Sequence, residues 1–270
     1  MLKNTVITEK KLKAIADMRM LDDTFMSAVF DGQIKETQLL LQIILNKNDI
    51  AVIKAEAQVY FSNIYGREIR LDILAEDKKG TIYNVEVQRE KGQADPHRAR
   101  FHGARVDSRL LKKGQKDFRE IPDRYTIFIT EDDMFNKGLP AYHSENTIAE
   151  LNHTPLGDGS YIIYVNGQYR NLETPIGRLI HDFYCKKSTD ILNPILRERV
   201  SHLKDTEGGQ AEMCQIMDNI ITEEKIDMAK NEIAYGELTL SQIARAFELP
   251  IAFVQELAKN VKTDAVIETV

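Results

Sequence analysis

The segment RLDILAEDKKGTIYNVEVQ, residues 70–88, holds two carboxylates and an amide that can do chemistry, at a spacing fixed by a turn. Strands disfavour Asp and, more mildly, Glu. Yet the alternation on both sides of Asp77-Lys78-Lys79-Gly80-Thr81 reads as two strands holding Asp72 and Glu86. Gly80 stands where a three-residue hairpin loop needs a left-handed residue. With Lys78, Lys79 and Gly80 as the loop, Asp77 pairs with Thr81, and Asp72 then falls opposite Glu86. Directly opposed Cβ atoms lie roughly 4.5–5.5 Å apart. Two like charges at ~5 Å and an effective dielectric of ~20 repel by about 3 kcal/mol. A divalent cation offsets that repulsion, and hard oxygen ligands so spaced suit Mg2+ or Mn2+. Strand period puts Asn84, Glu86 and Gln88 on the face of Asp72 and turns Tyr83, Val85 and Val87 to the other face, into a core. A second reading competes: an amphipathic hairpin whose polar face is simply solvated.

The elements that must hold this hairpin are legible around it. Residues 21–45 read as a helix entrance and a helix, with Asp31 as N-cap and Leu39, Leu40, Ile43 and Ile44 as its apolar face. Residues 50–63, 67–76 and 81–88 read as strands. Asp95-Pro96 opens a helix running to about Lys113. Residues 125–130 (YTIFIT) read as a buried strand, 147–151 and 161–165 as shorter strands, and Asn166-Gly167 as a hairpin-type turn. After Thr174-Pro175 the chain reads as helical to its end. Residues 238–260 suggest two short helices split at Leu249-Pro250, either a helix-turn-helix or a helical hairpin packed on itself.

The helix after the hairpin carries Arg98, His102, Arg105, Arg109, Lys112 and Lys116 at steps of four and three, one basic stripe. Such a stripe is either a solvated face or a surface for a phosphate backbone. His97, His143, His153, His181 and His202 show no ligand spacing. The GDGS turn at 157–160 lacks the residues of a phosphate loop, and no G-x-S-x-G elbow is present.

Taken in order, the hairpin and FMSAVFDGQIKETQLLLQIIL (25–45), HRARFHGARVDSRLL (97–111), YTIFITEDD (125–133), GLPAYH (138–143) and GDGSYIIYVNGQYR (157–170) resemble the recombination-promoting nuclease and transposase branch of the PD-(D/E)XK nuclease superfamily. The resemblance covers about residues 21–214. It implies an α/β fold with a restriction-endonuclease-like αβββαβ core and a mixed sheet, followed by a C-terminal helical region. The expected division is an N-terminal extension (1–20), the nuclease-like core (21–173) and the helical region (174–270).

The resemblance also implies roles. The aspartate and glutamate of its metal site fall on Asp72 and Glu86, with the Val87 carbonyl as a third ligand. Gln88 takes the place where the superfamily usually has lysine, and there it would orient the attacking water. An acid from the first helix falls on either Glu36 or Gln38, the latter not an acid. The activity implied is Mg2+-dependent DNA endonuclease, with Mn2+ able to substitute, associated with recombination or transposition. Arg98, Arg100, Arg105, Arg109 and Lys112 are the expected DNA contacts. The rival is a DNA-binding or assembly module with little catalysis, which the missing lysine favours.

Composition narrows the classes. Net charge is −6 over 270 residues, so a nucleic-acid site must be a local basic patch. Two cysteines, Cys185 and Cys214, lack metal-type spacing. No apolar run reaches membrane-spanning length, and the expectation is a cytoplasmic protein, with a homodimer compatible.

Overall fold

The computed structural model describes residues 7–61, 69–90, 92, 94–110 and 116–267. Thr8 caps α1 (Glu9–Asp17), its hydroxyl accepting from Lys11 N. The stretch expected as an entrance and one helix divides into α2 (Asp23–Phe30) and α3 (Ile34–Leu45). Gly32, at φ +66°, lies in the break and takes a conformation that a side chain would strain. Asp31 is therefore not the N-cap of α3. Gln33 stands there, and Asp31 Oδ1 accepts from Ala57 N on the first strand.

That strand, β1 (Val52–Phe61), leads an antiparallel meander with β2 (Ile69–Asp77) and β3 (Ile82–Gln88). Asp95 then opens α4 (Pro96–Leu110), accepting from His97 N at 2.7 Å. Lys112 and the expected end of this helix lie outside the described residues. The chain returns through β4 (Arg124–Thr130). Next comes β5 (Ala141–Glu145), a strand the pattern did not announce because two of its five positions are half-buried and three are exposed. Where a strand was expected over 147–151, only Thr147–Ile148 (β6) pairs, with Thr154–Pro155 (β7). β8 (Ser160–Asn166) ends the sheet. Asn166-Gly167 turns the chain but returns no strand. Gly167 N donates to Thr130 O, and a Cβ on Gly167 would sit 2.0 Å from that oxygen, so the backbone is pressed against β4 and leaves the sheet.

The six strands run in the order β1-β2-β3-β4-β8-β5. β3, β4 and β8 are parallel, and β5 is antiparallel to β8. The mixed sheet is thus entered by a meander and completed by a crossover through α4. One face carries the main core. Ile73, Tyr83, Val85, Val87, Ile127, Ile129, Ile163 and Val165 meet Phe25, Phe30, Leu40, Leu41 and Ile44 of α2 and α3 there.

Five further helices follow: α5 (Pro175–Tyr184), α6 (Pro194–Asp205), α7 (Glu207–Tyr235), α8 (Leu240–Ala246) and α9 (Ile251–Ile267). Thr174 caps α5, accepting from Gly177 N. Leu179, Phe183, Leu196, Val200, Leu203 and Met213 join the main core, while Ala229, Ile243, Ala244 and Val254 form a small separate cluster. The split between α8 and α9 falls at Phe247–Pro250, with Glu248 at φ +56°. Among the described residues no helix is long and apolar enough to cross a membrane.

One buried cation ties three segments together. Lys204 Nζ donates to Ala16 O (3.2 Å), Met18 O (2.5 Å) and Lys186 O (2.5 Å), and lies 4.7 Å from the centre of the Phe25 ring. Burial lowers its pKa to about 8. Lys204→Met fills the volume but leaves three carbonyls without that donor, at about 1–3 kcal/mol each if they stay buried. The expected result is a loss of roughly 3 kcal/mol or more in urea unfolding. A midpoint unchanged from the native chain would mean that water takes over all three carbonyls.

Candidate active site

The hairpin register follows from its turn. Gly80 is left-handed at φ +82°, and Asp77 N donates to Thr81 O. Asp77, itself buried, clamps the loop: Oδ1 accepts from Lys79 N (2.8 Å) and Thr81 N (3.0 Å), and Oδ2 from the Tyr83 hydroxyl (2.9 Å). Ile82 to Val85 pair with Glu76 to Ile73, so the next step of the same ladder sets Asp72 against Glu86. Packing holds this register too. A one-residue slip turns Val85 and Val87 out of the core and drives Glu86 into it. Losing burial of each such side chain costs about 1.5–3 kcal/mol, before counting the buried charge.

The polar face is only partly solvated, with Asp72 and Gln88 half-buried and Asn84 and Glu86 shut away from water, which is not the pattern of a bare amphipathic hairpin. Helix α4 covers it: Asn84 and Glu86 are 0% and 1% exposed. Glu86 Oε1 meets His102 Nδ1 at 3.2 Å, and Asp72 Oδ2 accepts from Val87 N at 2.8 Å. Among the described residues each carboxylate keeps its other oxygen, Oδ1 of Asp72 and Oε2 of Glu86, without a hydrogen bond. Burial, and then the neighbouring Glu86 charge, raise the Asp72 pKa to about 8, against the opposing pull of the Val87 N–H.

An open cavity of about 870 Å³ lies over this edge, lined by Asp22, Asp23, Asp72, Val87, Gln88 and Arg98 among others. Among the described residues Gln88 Oε1 is buried with no hydrogen-bond partner, and so are both amide atoms of Asn84. Buried polar atoms are rarely left so, and each such group calls for a water, an ion or a function.

Neither residue considered for the helical acid lines this cavity. Glu36 does not line the cavity, and Gln38 Oε1 is used to accept from Val52 N, tying α3 to β1. An acid that does line it is Asp23, in the first turn of α2, whose charge also raises the Asp72 pKa. Its neighbour Asp22 is engaged by Arg89 at 2.6 Å and by Arg19 N at 2.7 Å. The signal was available: two acids followed by Thr24 and the apolar run FMSAVF mark a helix start.

The basic stripe on α4 is not one solvated face. His102 is buried against Glu86 and is part of the site. Arg98 lines the cavity. Arg105 is half-buried, and the Arg109 guanidinium lies 4.4 Å from the centre of the Phe61 ring. Arg100 faces a different depression, with Asp107, Arg124 and Glu145. Gly103 allows that packing, since a Cβ there would lie 2.5 Å from an Arg124 nitrogen; Arg124 itself is held by Asp107, Thr126 and Ser160.

A match to the family model for the PD-(D/E)XK nuclease family transposases runs over residues 32–171, from the α2–α3 break through β8. The chain belongs to this family. The match takes in the meander, α4 and the parallel strands, so the mixed α/β fold and the family agree. No curated protein and no solved structure matches the chain. Membership points to a nuclease or transposase activity with DNA as substrate, and nucleases of this superfamily generally use divalent metals.

A second cluster with metal-ligand atoms is structural. His181, Asp182 and Cys185 bring three such atoms within 4.8 Å of one another. Asp182 is already committed, accepting from Leu192 N, Asn193 N and Asn193 Nδ2. Burial, then the Asp182 charge, push the Cys185 thiol up to about 11, which opposes a thiolate ligand.

Proposed function

We propose that this chain is a Mg2+-dependent DNA endonuclease acting in recombination or transposition, with Asp72, Glu86 and the Val87 carbonyl as the metal ligands. The observation that carries the reading is the pair of facing carboxylates, each with one oxygen committed and one available, beside the orphaned Gln88 Oε1. This donor set fits a hard divalent cation: all oxygen, doubly negative, and able to keep bound water through an amide acceptor. A cation held there supplies Lewis acidity towards a phosphodiester and lowers the pKa of a bound water.

The chain's own groups do the rest. Glu86 is fixed by His102, and Asp72 by the Val87 N–H, so both carboxylates are aimed before substrate arrives. Gln88 Oε1 accepts a hydrogen bond from the attacking water and orients it. Arg98, at the cavity, meets the phosphate backbone without reading sequence, and Arg105, Arg109 and Lys112 are further cations for it, whereas Arg100 faces the other depression. The alternative, a DNA-binding or assembly module with little catalysis, draws on one observation: Gln88 is neutral and can orient but cannot neutralise charge.

Nicking of supercoiled plasmid decides between them. The expected result is slow conversion to open circle with Mg2+ or Mn2+ and none with EDTA. DNA binding without cleavage in either metal would leave the assembly module standing.

A further inference from the structure

We propose that α8 and α9 form a helix-turn-helix unit, in which α9 enters the major groove of duplex DNA and reads bases through Ala252, Gln255 and Glu256. The inference lies outside the cavity. It rests on the DNA substrate of the family and needs no metal.

The corner between the helices is built for this. α8 ends at Ala246 and α9 starts at Ile251, so the turn is 247–250, the short length that the motif uses. Glu248 is left-handed at φ +56°, which a residue with a side chain adopts only when its surroundings demand it. Leu249 N then donates to Ala244 O at 2.9 Å and closes α8. Thr239 and Gln242 cap the other end of α8 reciprocally. Seven residues are too few for a helix to stand alone, so packing holds it. Ile243 and Ala244 are buried with Ala229 of α7 and Val254 of α9, and Leu249 packs on the same cluster. Both short helices thus pack on α7 as well as on each other, which a hairpin closed on itself does not do.

That packing decides which side of α9 faces out. Val254 and Ala258 are buried, and the helical period leaves Ala252, Gln255 and Glu256 exposed on the opposite side. Their chemistry fits base edges. A glutamine amide pairs with adenine, a carboxylate accepts from the amino group of cytosine, and an alanine methyl packs on that of thymine. Charge narrows the mode of binding. Residues 221–259 hold seven acids and four bases. Two of the acids are offset inside the unit, Glu248 by Lys225 at 2.5 Å and Asp227 by Lys230 at 3.0 Å. The remaining acid excess opposes indiscriminate binding through phosphates. What is left is base contact, with Arg245, exposed in the last turn of α8, for the backbone. A protein partner would use the exposed Ile251 and Phe253. An amide and a carboxylate on the outer line of α9, in a chain whose family has DNA as substrate, favour the duplex.

The test uses the full chain in EDTA, so binding is read without cleavage, and the nuclease reading stands or falls separately in the plasmid assay. Random duplexes of about 20 base pairs, long enough for one such unit, are selected on the protein. Fluorescence anisotropy then compares the selected duplex with a scrambled one. One sequence should be enriched and bound at least about 30-fold more tightly than the scramble. Gln255→Ala and Glu256→Ala should each lose about tenfold on the selected duplex and change the scramble by less than about threefold. Glu256→Gln should move the preference at one base pair from cytosine to adenine, a shift that a merely structural role would not produce. Arg245→Ala should weaken both duplexes alike and reduce the salt slope by about one. Both α9 side chains are exposed, so their variants should melt with the native chain.

Selection that enriches no sequence overturns the proposal. An enriched sequence whose affinity survives both Gln255→Ala and Glu256→Ala overturns it too, since the reading would then lie elsewhere in the chain. A native chain that ignores duplex DNA and forms a dimer that Phe253→Ala separates would assign this face of α9 to a second copy instead.

Discussion

Asp72→Asn is expected to melt at a higher temperature than the native chain in EDTA at pH 8, and to bind no Mn2+ at concentrations that saturate the native chain. Burial and the facing Glu86 raise the folded-state pKa of Asp72 to about 8, whereas an unfolded chain has the ordinary value near 4. Between those values the folded state keeps a proton that the unfolded state releases. Stability therefore falls as pH rises from about 4 through about 8, and at pH 8 most of the penalty is present. Half-exposure and the shared charge of the pair reduce the figure to about 2 kcal/mol, or roughly 5 °C in a chain of this size. Asparagine removes the charge while its Oδ1 still accepts from Val87 N.

Metal reverses the order. At a hundred times Kd, binding stabilises the native chain by about 2.7 kcal/mol and does nothing for the variant. Melting curves of both proteins at pH 5 and pH 8, with EDTA and with Mn2+, contain the whole test. At pH 5 without metal the gap should shrink to about a third of its size at pH 8. If the native chain is the more stable in EDTA at pH 8, Asp72 is held by contacts that this electrostatic account omits.

Glu86→Gln is expected to abolish plasmid nicking while sparing the fold and the binding of DNA. The side chain is buried under α4 and meets His102 Nδ1, and the amide oxygen of glutamine can accept the same hydrogen bond. Shape and packing are thus retained. What is lost is one of two negative ligands for a dication, and with it several kcal/mol of transition-state stabilisation. Each 1.4 kcal/mol is a factor of ten, so the rate should fall by about 1,000-fold or more. DNA affinity, which on the proposed reading comes from the cations and not from Glu86, should change by less than about threefold and should keep its dependence on salt. Residual cleavage at the native rate would assign the activity to another site or to a contaminant.

The hairpin was legible because its determinants are local. A glycine that must be left-handed fixes the loop, the loop fixes the register, and alternation of Tyr83, Val85 and Val87 fixes the buried face. The order of helix, meander, helix and strand was legible for the same reason. The place of Asp23 was not. Asp23 reaches the cavity only because Gly32 breaks the run into two helices and α2 packs over the sheet beside β2, a tertiary fact. His102 was hidden in another way. Its spacing from Arg98, Arg105 and Arg109 belongs to a basic stripe, and only the packing of α4 on Glu86 shows it as buried. β5 escaped because an edge strand with one mostly exposed face carries little apolar periodicity.

The Asp77 clamp gives this protein a second class of null allele. Lys78 and Lys79 form an exposed hairpin tip of the kind that usually accepts tags, insertions and random substitutions. At ~3.4 Å per residue, Asp77 lies about 17 Å along β2 from Asp72. Even so, Asp77 and Gly80 decide which residue Asp72 faces. Changes at Asp77 or Gly80 belong genetically with changes in the carboxylates themselves. A mutational scan would show an inactivating cluster at a surface turn that touches no substrate, and a reporter peptide inserted between Lys79 and Gly80 would silence the protein rather than label it.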